Sequence, residues 1–376
     1  MVSPAPAAAG RPLVTIVLPH RERFGPDEAG AVASVVHRLV TNGSRYDALV
    51  VGPRFRGQAF PGTTFLPVTT PRWLPLKPTQ SYALMVALAL AKLSPSPIEV
   101  HNKPDVAALL ARVFPNRPVR LFLHNDPRSM RGARTARARE RLLRRLDRIV
   151  VVSDYLRRAL LEGVEATSGC APMVLHNVLG ASELPVPTPM AERDRLLLFA
   201  GRVVPEKAPD AFVAACARAL PRLPGWRAEM IGGDGFGPGS DDSRFIRQLR
   251  PAAGAAGVLM RGYRPHQDIL QAMSRAAIAV VPSRWPEPFG LTALEALACG
   301  AALACSGRGG LSEVTGECCV PIDPDDIAGF ADDLVKLAQD EPWRERLSDA
   351  GMARARDHFA VANAIDRLDE MRGRVA

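Results

Sequence analysis

The chain has 376 residues, 47% of them apolar and 23% charged, and a mean hydropathy near zero, which excludes a fibrous or disordered chain and fits two domains better than one small core. The net charge of +9 is unevenly placed: residues 1–180 carry 25 Lys/Arg against 12 Asp/Glu, while residues 181–376 carry 23 against 27. A polyanionic partner such as lipid headgroups, a pyrophosphate or nucleic acid therefore belongs to the first half.

Along the first half, short apolar strands alternate with helical spacing. Strands are predicted over Leu13–Leu18, Tyr46–Val51, Ile98–His101, Val119–Leu123 and Ile149–Val152. Helices are predicted over Ala29–Val40, Gln80–Lys92, Asp105–Val113 and Ala133–Leu146, and over Asp154–Glu162 with Ser153 as its cap. Pro185, Pro187 and Pro189 then mark a linker. The pattern restarts with strands at Leu196–Ala200, Ala228–Ile231, Val258–Arg261, Ala277–Val281 and Ala301–Cys305. Helices fall at Pro209–Leu220, Ser243–Ala253, Gln267–Ser274, Leu291–Cys299 closed by Gly300, Ile327–Gln339 and the tail Val361–Arg374. Buried strands between amphipathic helices imply parallel sheets covered on both faces. The expected fold class is α/β, two Rossmann-like doubly wound domains at 1–183 and 190–359, with the C-terminal helix 360–376 as a candidate to rejoin the first. If their strand edges face each other, the ligand site is the cleft between them, an arrangement suited to a two-substrate transferase.

Met1–Gly10 lacks the charged start of a secretory leader, and the longest apolar run, Tyr82–Ala91, is about half the ~20 residues a membrane span needs. The expected location is the cytoplasm, either free or peripheral on the inner face of the membrane. Cys170, Cys216, Cys299, Cys305, Cys318 and Cys319 form no CxxC pair and no zinc spacing, so they read as reduced thiols, with no metal expected.

The most informative stretch is Val280–Gly300. A strand ends at Val281, a Pro-rich loop follows, and a helix begins near Gly290, so the backbone N–H groups of Gly290, Leu291 and Thr292 form a phosphate site. Glu287 and Glu295 flank it, and paired carboxylates beside a phosphate suit sugar and ribose diols. The plain alternative for two glutamates eight residues apart is solvated surface.

Glu287-Pro-Phe-Gly-Leu-Thr-Ala-Leu-Glu295 resembles the Glu-x7-Glu motif of the retaining GT-B glycosyltransferases of the glycosyl-transferases group 1 (family four) class. Phe199–Lys207 is similar to that family's Gly-Arg…Glu-Lys segment, Ile231–Gly235 to its Gly-x-Gly turn, and Gly309–Glu313 to its Gly-Gly-x-x-Glu loop. The resemblance is dense over 196–340 and loose over the first half. It implies that Arg202 and Lys207, with Gly201 in their loop, neutralise a donor diphosphate, and that Glu287 holds the donor-sugar hydroxyls and Glu295 the ribose. It places Phe289, Gly290, Leu291 and Thr292 around the donor, and Gly262-Tyr263 at the base edge. A departing nucleoside diphosphate needs fixed cations in any case. Of three strand-end histidines, His20, His101 and His124, the last matches the family's His-Asp element and is assigned a role at the reaction site, with His101 on the acceptor side. Gly30 stands where the family has a Gly-Gly pair, also on the acceptor side.

The nine arginines between Arg128 and Arg148 include Arg134, Arg137, Arg141, Arg144, Arg145 and Arg148 at three- and four-residue steps. That spacing predicts one helix face, either simply solvated or bound to anionic lipid or a lipid-linked pyrophosphate. No nucleic-acid motif accompanies it. Asp323-Pro-Asp325 resembles the metal-binding DxD of a different glycosyltransferase fold, but Asp325 or Asp326 reads better as a helix cap.

The expected activity is transfer of a hexose-type sugar, with retention, from a UDP- or GDP-sugar to a hydroxyl of a saccharide or lipid-linked saccharide. The setting implied by the family is bacterial polysaccharide or lipopolysaccharide assembly. No cofactor is expected, because the nucleotide sugar is itself the substrate. The alternative is a catalytically silent nucleotide-sugar-binding protein of the same fold. A nicotinamide-dependent dehydrogenase is more remote: Pro19–Gly30 supplies no Gly-x-Gly-x-x-Gly after the first strand, and no suitable helix directly follows Gly233–Gly237.

Overall fold

The computed structural model describes residues 11–373 apart from 27, 72, 166–168, 236–238 and 241–242. The expectations for Met1–Gly10, for the end of Gly233–Gly237 and for Arg374 fall outside the described residues. The chain divides into two compact units, one running to Val178 and resuming at Val361, the other spanning Leu179–Ala360.

In the first unit the elements are β1 (Leu13–Val17), α1 (Ala31–Thr41), β2 (Asp47–Pro53), β3 (Thr64–Val68), α2 (Pro78–Leu90), β4 (Ile98–His101), α3 (Pro104–Val113), β5 (Val119–Leu123), α4 (Ala136–Arg145), β6 (Arg148–Val151), α5 (Asp154–Leu161) and β7 (Met173–Val174). They build a sheet of order β3-β2-β1-β4-β5-β6-β7 in which every pairing is parallel. The β-branched and leucine residues of β1, β4 and β5 are buried on both faces, as helices packed on either side of a parallel sheet require. Ser153 Oγ accepts from Leu156 N at 3.1 Å and starts α5. Thr135 Oγ1 accepts from Ala138 N at 3.2 Å, so α4 starts three residues later than the arginine periodicity suggests. A side-chain cap fixes a helix start more firmly than propensity does.

The second unit runs β8 (Asp194–Ala200), α6 (Pro209–Ala219), β9 (Arg227–Ile231), α7 (Arg244–Ala255), β10 (Val258–Gly262), α8 (His266–Arg275), β11 (Ala276–Val281), α9 (Leu291–Ala298), β12 (Ala302–Cys305), α10 (Leu311–Thr315), β13 (Val320–Pro321), α11 (Ile327–Gln339) and α12 (Glu341–Phe359). Its sheet order is β10-β9-β8-β11-β12-β13, again all parallel. Leu197, Phe199, Phe212, Ile278, Val280, Phe330 and Leu334 centre its core. The crossing between units lies at Val178–Leu179, upstream of Pro185–Pro189, so the proline-rich segment belongs to the second unit and the boundary expected at 183–190 moves about five residues back. Prolines mark irregular chain, and irregular chain can lie within a unit as readily as between units.

The last helix, α13 (Val361–Gly373), belongs to the first unit and is fastened there by buried charge. Arg372 forks onto Glu99 of β4 at 2.9 and 2.7 Å and reaches Ser44 Oγ at 3.1 Å. Asp369 accepts from Ser44 Oγ at 2.7 Å and from Arg45 N at 2.6 Å. All of these except Arg45 are buried, where an ion lacking a partner would be costly, so the network fixes the position of the helix.

Candidate active site

In the second unit the loops leaving β8, β9, β10 and β11 all lie at the C-terminal edge of the sheet, around the point where strand order reverses between β8 and β11. Such a switch point opens a ligand crevice in doubly wound sheets. Backbone hydrogen bonds lace the loops together. Gly201 N donates to Ile231 O at 3.0 Å, Gly232 N to Gly262 O at 2.9 Å and Val203 N to Gly233 O at 2.7 Å, while Arg284 N and Trp285 N both donate to Glu206 O at 3.0 Å.

Glu287 and Lys207 come together there. Lys207 Nζ and Ser283 Oγ both donate to Glu287 Oε1, and Glu287 is 6% exposed. Among the described residues its Oε2 has no protein partner, so one oxygen fixes the carboxylate and the other can accept from a ligand hydroxyl. The backbone of Glu287 is clamped as well: its N donates to Arg308 O at 3.1 Å and its O accepts from Gly310 N at 2.6 Å. Lys207 is followed by Ala208, a buried non-glycine residue in the left-handed region at φ +53°. That conformation costs on the order of 1–3 kcal/mol, and it turns the chain sharply between the lysine and α6. Arg202 is exposed on the neighbouring loop.

Glu295 lies just over one turn into α9 and is 8% exposed. His266, the first residue of α8, holds its Oε1 through Nε2 at 2.8 Å. Gly290 precedes α9 at φ +113°, and Leu291 and Thr292 are half-buried in its first turn, where backbone N–H groups have no intrahelical acceptor. Gly201 and Tyr263 are partly exposed at the ends of β8 and β10. The Phe289 side chain is 2% exposed and packs edge-on against Phe359, with ring centroids 5.8 Å apart. In a Pro-Phe-Gly turn the large apolar ring goes to the core and leaves the backbone at the crevice. Ser283 and His266, which support the two carboxylates, carry no motif that would have marked them in the sequence.

The aspartates of Asp323-Pro-Asp325 are taken by arginine. Arg308 meets Asp323 at 2.9 Å and Asp325 at 2.7 Å, Arg284 meets Asp325 at 3.0 Å, and Asp326 Oδ1 caps α11 through Gly329 N at 3.0 Å. Among the described residues no group of three or more His, Cys, Asp or Glu could hold a metal ion.

In the first unit His124 follows β5, and its Nε2 lies 2.9 Å from Nδ1 of His101. His101 is 2% exposed, stacked on Phe122 at 4.7 Å, and its Nε2 has no partner. It therefore backs His124 and does not present its own ring at the surface. Asn102, at φ +57°, accepts from the backbone N–H groups of His124 and Asn125 at 3.1 Å each and so fixes this loop. Burial pushes the His124 imidazole down to about 4 and His101 well below its ordinary value, so both are neutral at pH 7. The unfolded chain binds these protons first as pH falls. The stability contributed by neutral His124 is thus complete above about pH 6.5 and is lost between there and about pH 4, by roughly 3 kcal/mol, and His101 adds to the loss in the same direction as pH falls. The urea midpoint of the wild type should fall across that window, and His124→Gln should flatten the profile. An equal slope in both proteins would remove His124 as its cause.

Gly30 precedes α1, and a Cβ there would lie 2.5 Å from Glu22 Oε1. Glu22 accepts from Ala33 N at 3.0 Å, so this helix start is capped by the protein's own carboxylate, whose pKa burial raises against the pull of those N–H groups. The arginine stripe also departs from expectation. Arg137, Arg141, Arg144 and Arg145 are exposed on α4, but Arg134 precedes the helix and Arg148 opens β6. Arg139 is buried and donates to the carbonyls of Leu160, Ala133 and Arg134 at 2.8–3.1 Å.

Residues 164–354 match the family described as Glycosyl transferases group 1. The putative glycosyltransferase YtcC of Bacillus subtilis is 28% identical over 254 residues, covering 63% of this chain and 61% of its own. A D-inositol 3-phosphate glycosyltransferase of Stackebrandtia nassauensis is 37% identical over 188 residues, 48% of this chain and 41% of its own, so the chain spans only about half the length of such relatives. Among solved structures, the sucrose-phosphate synthase of Thermosynechococcus elongatus superimposes with a TM-score of 0.76 at 17% identity, covering 96% of this chain and 98% of its own. HepE of Anabaena in complex with UDP-glucose gives 0.75 at 18%, covering 95% and 98%. These likenesses extend over both Rossmann-like units and are likenesses to GT-B glycosyltransferases. With the family match spanning the acidic-basic cluster at Lys207, Glu287 and Glu295, the chain belongs to the glycosyl transferases of group 1.

Proposed function

We propose that the protein moves a hexose-type sugar, with retention, from a nucleoside-diphosphate donor to a hydroxyl of a saccharide or lipid-linked saccharide. The observation that carries this reading is the half-fixed carboxylate pair. Glu287 and Glu295 each have one oxygen held by protein and one oxygen open, on either side of the first turn of α9. A diphosphate at that turn would meet unpaired N–H groups, with Arg202 and Lys207 offsetting the charge that grows on it as the sugar leaves. The departing phosphate can then take the acceptor's proton on the face from which the acceptor attacks. The α-linkage of the donor becomes an α-linkage in the product, and no side chain need act as nucleophile. UDP is the favoured nucleoside diphosphate, because HepE has been solved with UDP and with UDP-glucose and an Escherichia coli neighbour with UDP-2-fluoro glucose; GDP-sugars are second.

The reading extends to bacterial polysaccharide or lipopolysaccharide assembly in the cytoplasm, peripheral on the inner membrane face. No helix among the described residues is long and apolar enough to cross a membrane, and the exposed arginines of α4 supply the attraction to anionic lipid. Release of nucleoside diphosphate from a panel of UDP- and GDP-sugars, measured with and without anionic vesicles, tests both parts. Turnover should appear with at least one donor, and vesicle association should fall steeply toward about 0.5 M salt, where charges are screened within a few ångströms. Donor binding without turnover would leave a silent nucleotide-sugar-binding protein, and salt-indifferent vesicle binding would return α4 to plain solvated surface.

A further inference from the structure

The loop that clamps the Glu287 backbone has little rigidity of its own. Three of the five residues 306–310 are glycine, and close packing requires two of them: a Cβ on Gly309 would lie 2.5 Å from Glu287 O, and one on Gly310 would lie 2.7 Å from Pro288 O. Glycine allows that approach but leaves the backbone free to adopt other conformations. Glu287 nevertheless depends on this loop, since its N donates to Arg308 O, its O accepts from Gly310 N, and it forms a parallel bridge with Gly309. The Glu287 carboxylate is therefore only as well placed as residues 306–310, and the anchors of that stretch have to come from its two side chains, Ser306 and Arg308.

Ser306 Oγ donates to Ser283 O at 2.8 Å. Arg308 reaches further: its Nη2 donates to Asp323 Oδ1 at 2.9 Å and to Asp325 Oδ2 at 2.7 Å, and its Nη1 donates to Arg284 O at 3.3 Å. Asp325 gives its other oxygen to Arg284 Nε at 3.0 Å, and Arg284 Nη1 continues to Asp210 Oδ1 at 2.8 Å in the first turn of α6. Asp325 N donates back to Asp323 Oδ1 at 3.0 Å, which sets the two carboxylates in one turn. Charges thus alternate in sign along Asp210, Arg284, Asp325, Arg308 and Asp323. That line joins the segment carrying Lys207, the loop carrying Glu287, residues 306–310 and the turn before α11. Arg308 first and Arg284 second hold the Asp325 carboxyl below its ordinary range, so it keeps its charge at neutral pH. The side chains are 32–60% exposed, and an isolated pair so placed adds little to folding stability. Planar guanidinium groups shared between carboxylates still fix direction, which is what two glycine-rich or proline-rich loops lack.

We propose that Asp323 and Asp325, through Arg308 and Arg284, are positioning residues for the transfer reaction, holding the loops that place Glu287 against Lys207 without touching substrate themselves. The inference rests on the transferase reading above and deepens it by giving the Asp-Pro-Asp segment a part in turnover. A reacting group misplaced by about 1 Å can lose about a hundredfold in rate. Nucleotide binding in that reading also draws on Arg202, Glu295 and the first turn of α9, so loosening the network acts on turnover far more than on UDP affinity.

Asp325→Asn and Arg308→Gln in the full chain test this, with Asp332→Asn as the control, because Asp332 pairs with Arg222 at 2.5 Å at similar exposure in the same unit and that pair joins none of the four segments. Each protein is measured by amide hydrogen exchange on peptides covering 282–290 and 305–312, by steady-state kinetics with the best donor of the panel, by UDP titration and by denaturant midpoint. Both network variants should exchange tenfold or more faster in those peptides, with the peptide covering 276–281 unchanged. Their kcat should fall tenfold or more while UDP affinity stays within threefold and the midpoint stays near that of wild type. Asp325→Glu keeps the charge and should recover at least threefold of the lost turnover, and the double variant Asp325→Asn, Arg308→Gln should be no slower than the slower single, as members of one network are. Asp332→Asn should match wild type throughout. Wild-type exchange in both loops, unchanged turnover in both variants, or a loss of UDP affinity equal to the loss of turnover would each overturn the assignment. If wild type turns over a donor and the network variants do so equally well, this inference fails alone; if no donor is turned over by wild type, the transferase reading fails and takes this one with it.

Discussion

Glu287→Gln should lower kcat by about a hundredfold or more while leaving KM for the donor within a few-fold. The substitution keeps the shape but removes the charge that orients Lys207 and that strengthens any hydrogen bond to the sugar as positive character develops at its reacting carbon. It also leaves Lys207 without its counter-ion in a largely closed site. Lys207→Ala acts on the other side of the same pair: Glu287 retains only Ser283, and in the proposed reading the leaving diphosphate loses a cation. Turnover should again fall, here with a marked loss of UDP affinity relative to uridine. Glu295→Gln should behave differently. Its partner is His266, and in the proposed reading it meets the nucleotide, whose contacts change little between ground and transition states, so KM should rise on the order of tenfold or more with kcat much less affected. Steady-state kinetics with the best donor of the panel, together with UDP and uridine titrations, check all three. Matching kinetic profiles for the two glutamate variants would show that the carboxylates do not divide the work in this way.

How much of this was legible in the sequence depended on whether a position announces itself locally. β4, β5 and α11 coincide with their expected ranges, because each is a short buried run or a long amphipathic one with clear stops. β3 carries little strand signal in the sequence, being the edge strand of its sheet, with one buried residue and with Pro67 next to its end, a residue that sheets confine to edges, strand starts or bulges. α12 is a 19-residue helix without a clear apolar stripe, because its inward positions include Arg344, Ser348 and Gly351. Arg344 is buried by donating to the carbonyls of Leu337 and Ala338, a satisfaction that no hydropathy pattern reveals. The Glu287–Glu295 spacing could be read because helix start, glycine and strand lie together in sequence. Ser283 lies next to them yet is an ordinary serine until the fold turns it toward Glu287, and His266 lies 29 residues from Glu295. The arginine stripe shows the converse: a periodic spacing ran through a cap and into a strand, so four of its six members lie on α4.

Gly232→Ala should be among the most damaging single substitutions in the second unit. At φ +139° the position is already strained for any residue with a Cβ, and the added carbon would lie 1.9 Å from Gly201 O, well inside van der Waals contact. Relief requires the loop after β9 to move away from the loop after β8. That movement would break the Gly232 N to Gly262 O and Gly201 N to Ile231 O hydrogen bonds that align the edge carrying Arg202, Lys207 and Tyr263. Gly201→Ala separates the two causes, because it shares the positive φ, at +144°, but its Cβ would meet nothing within 4 Å. Backbone strain alone should cost about 1–3 kcal/mol, whereas strain plus overlap with backbone should reach about 4 kcal/mol or more, as severe core changes do. Denaturant midpoints of wild type and both variants, followed by UDP titration of whatever remains folded, give the comparison. Gly232→Ala should unfold at clearly lower denaturant than Gly201→Ala and bind UDP weakly if at all. A Gly232→Ala protein as stable as Gly201→Ala, with UDP affinity intact, would mean that the three loops are not packed backbone against backbone at the crevice.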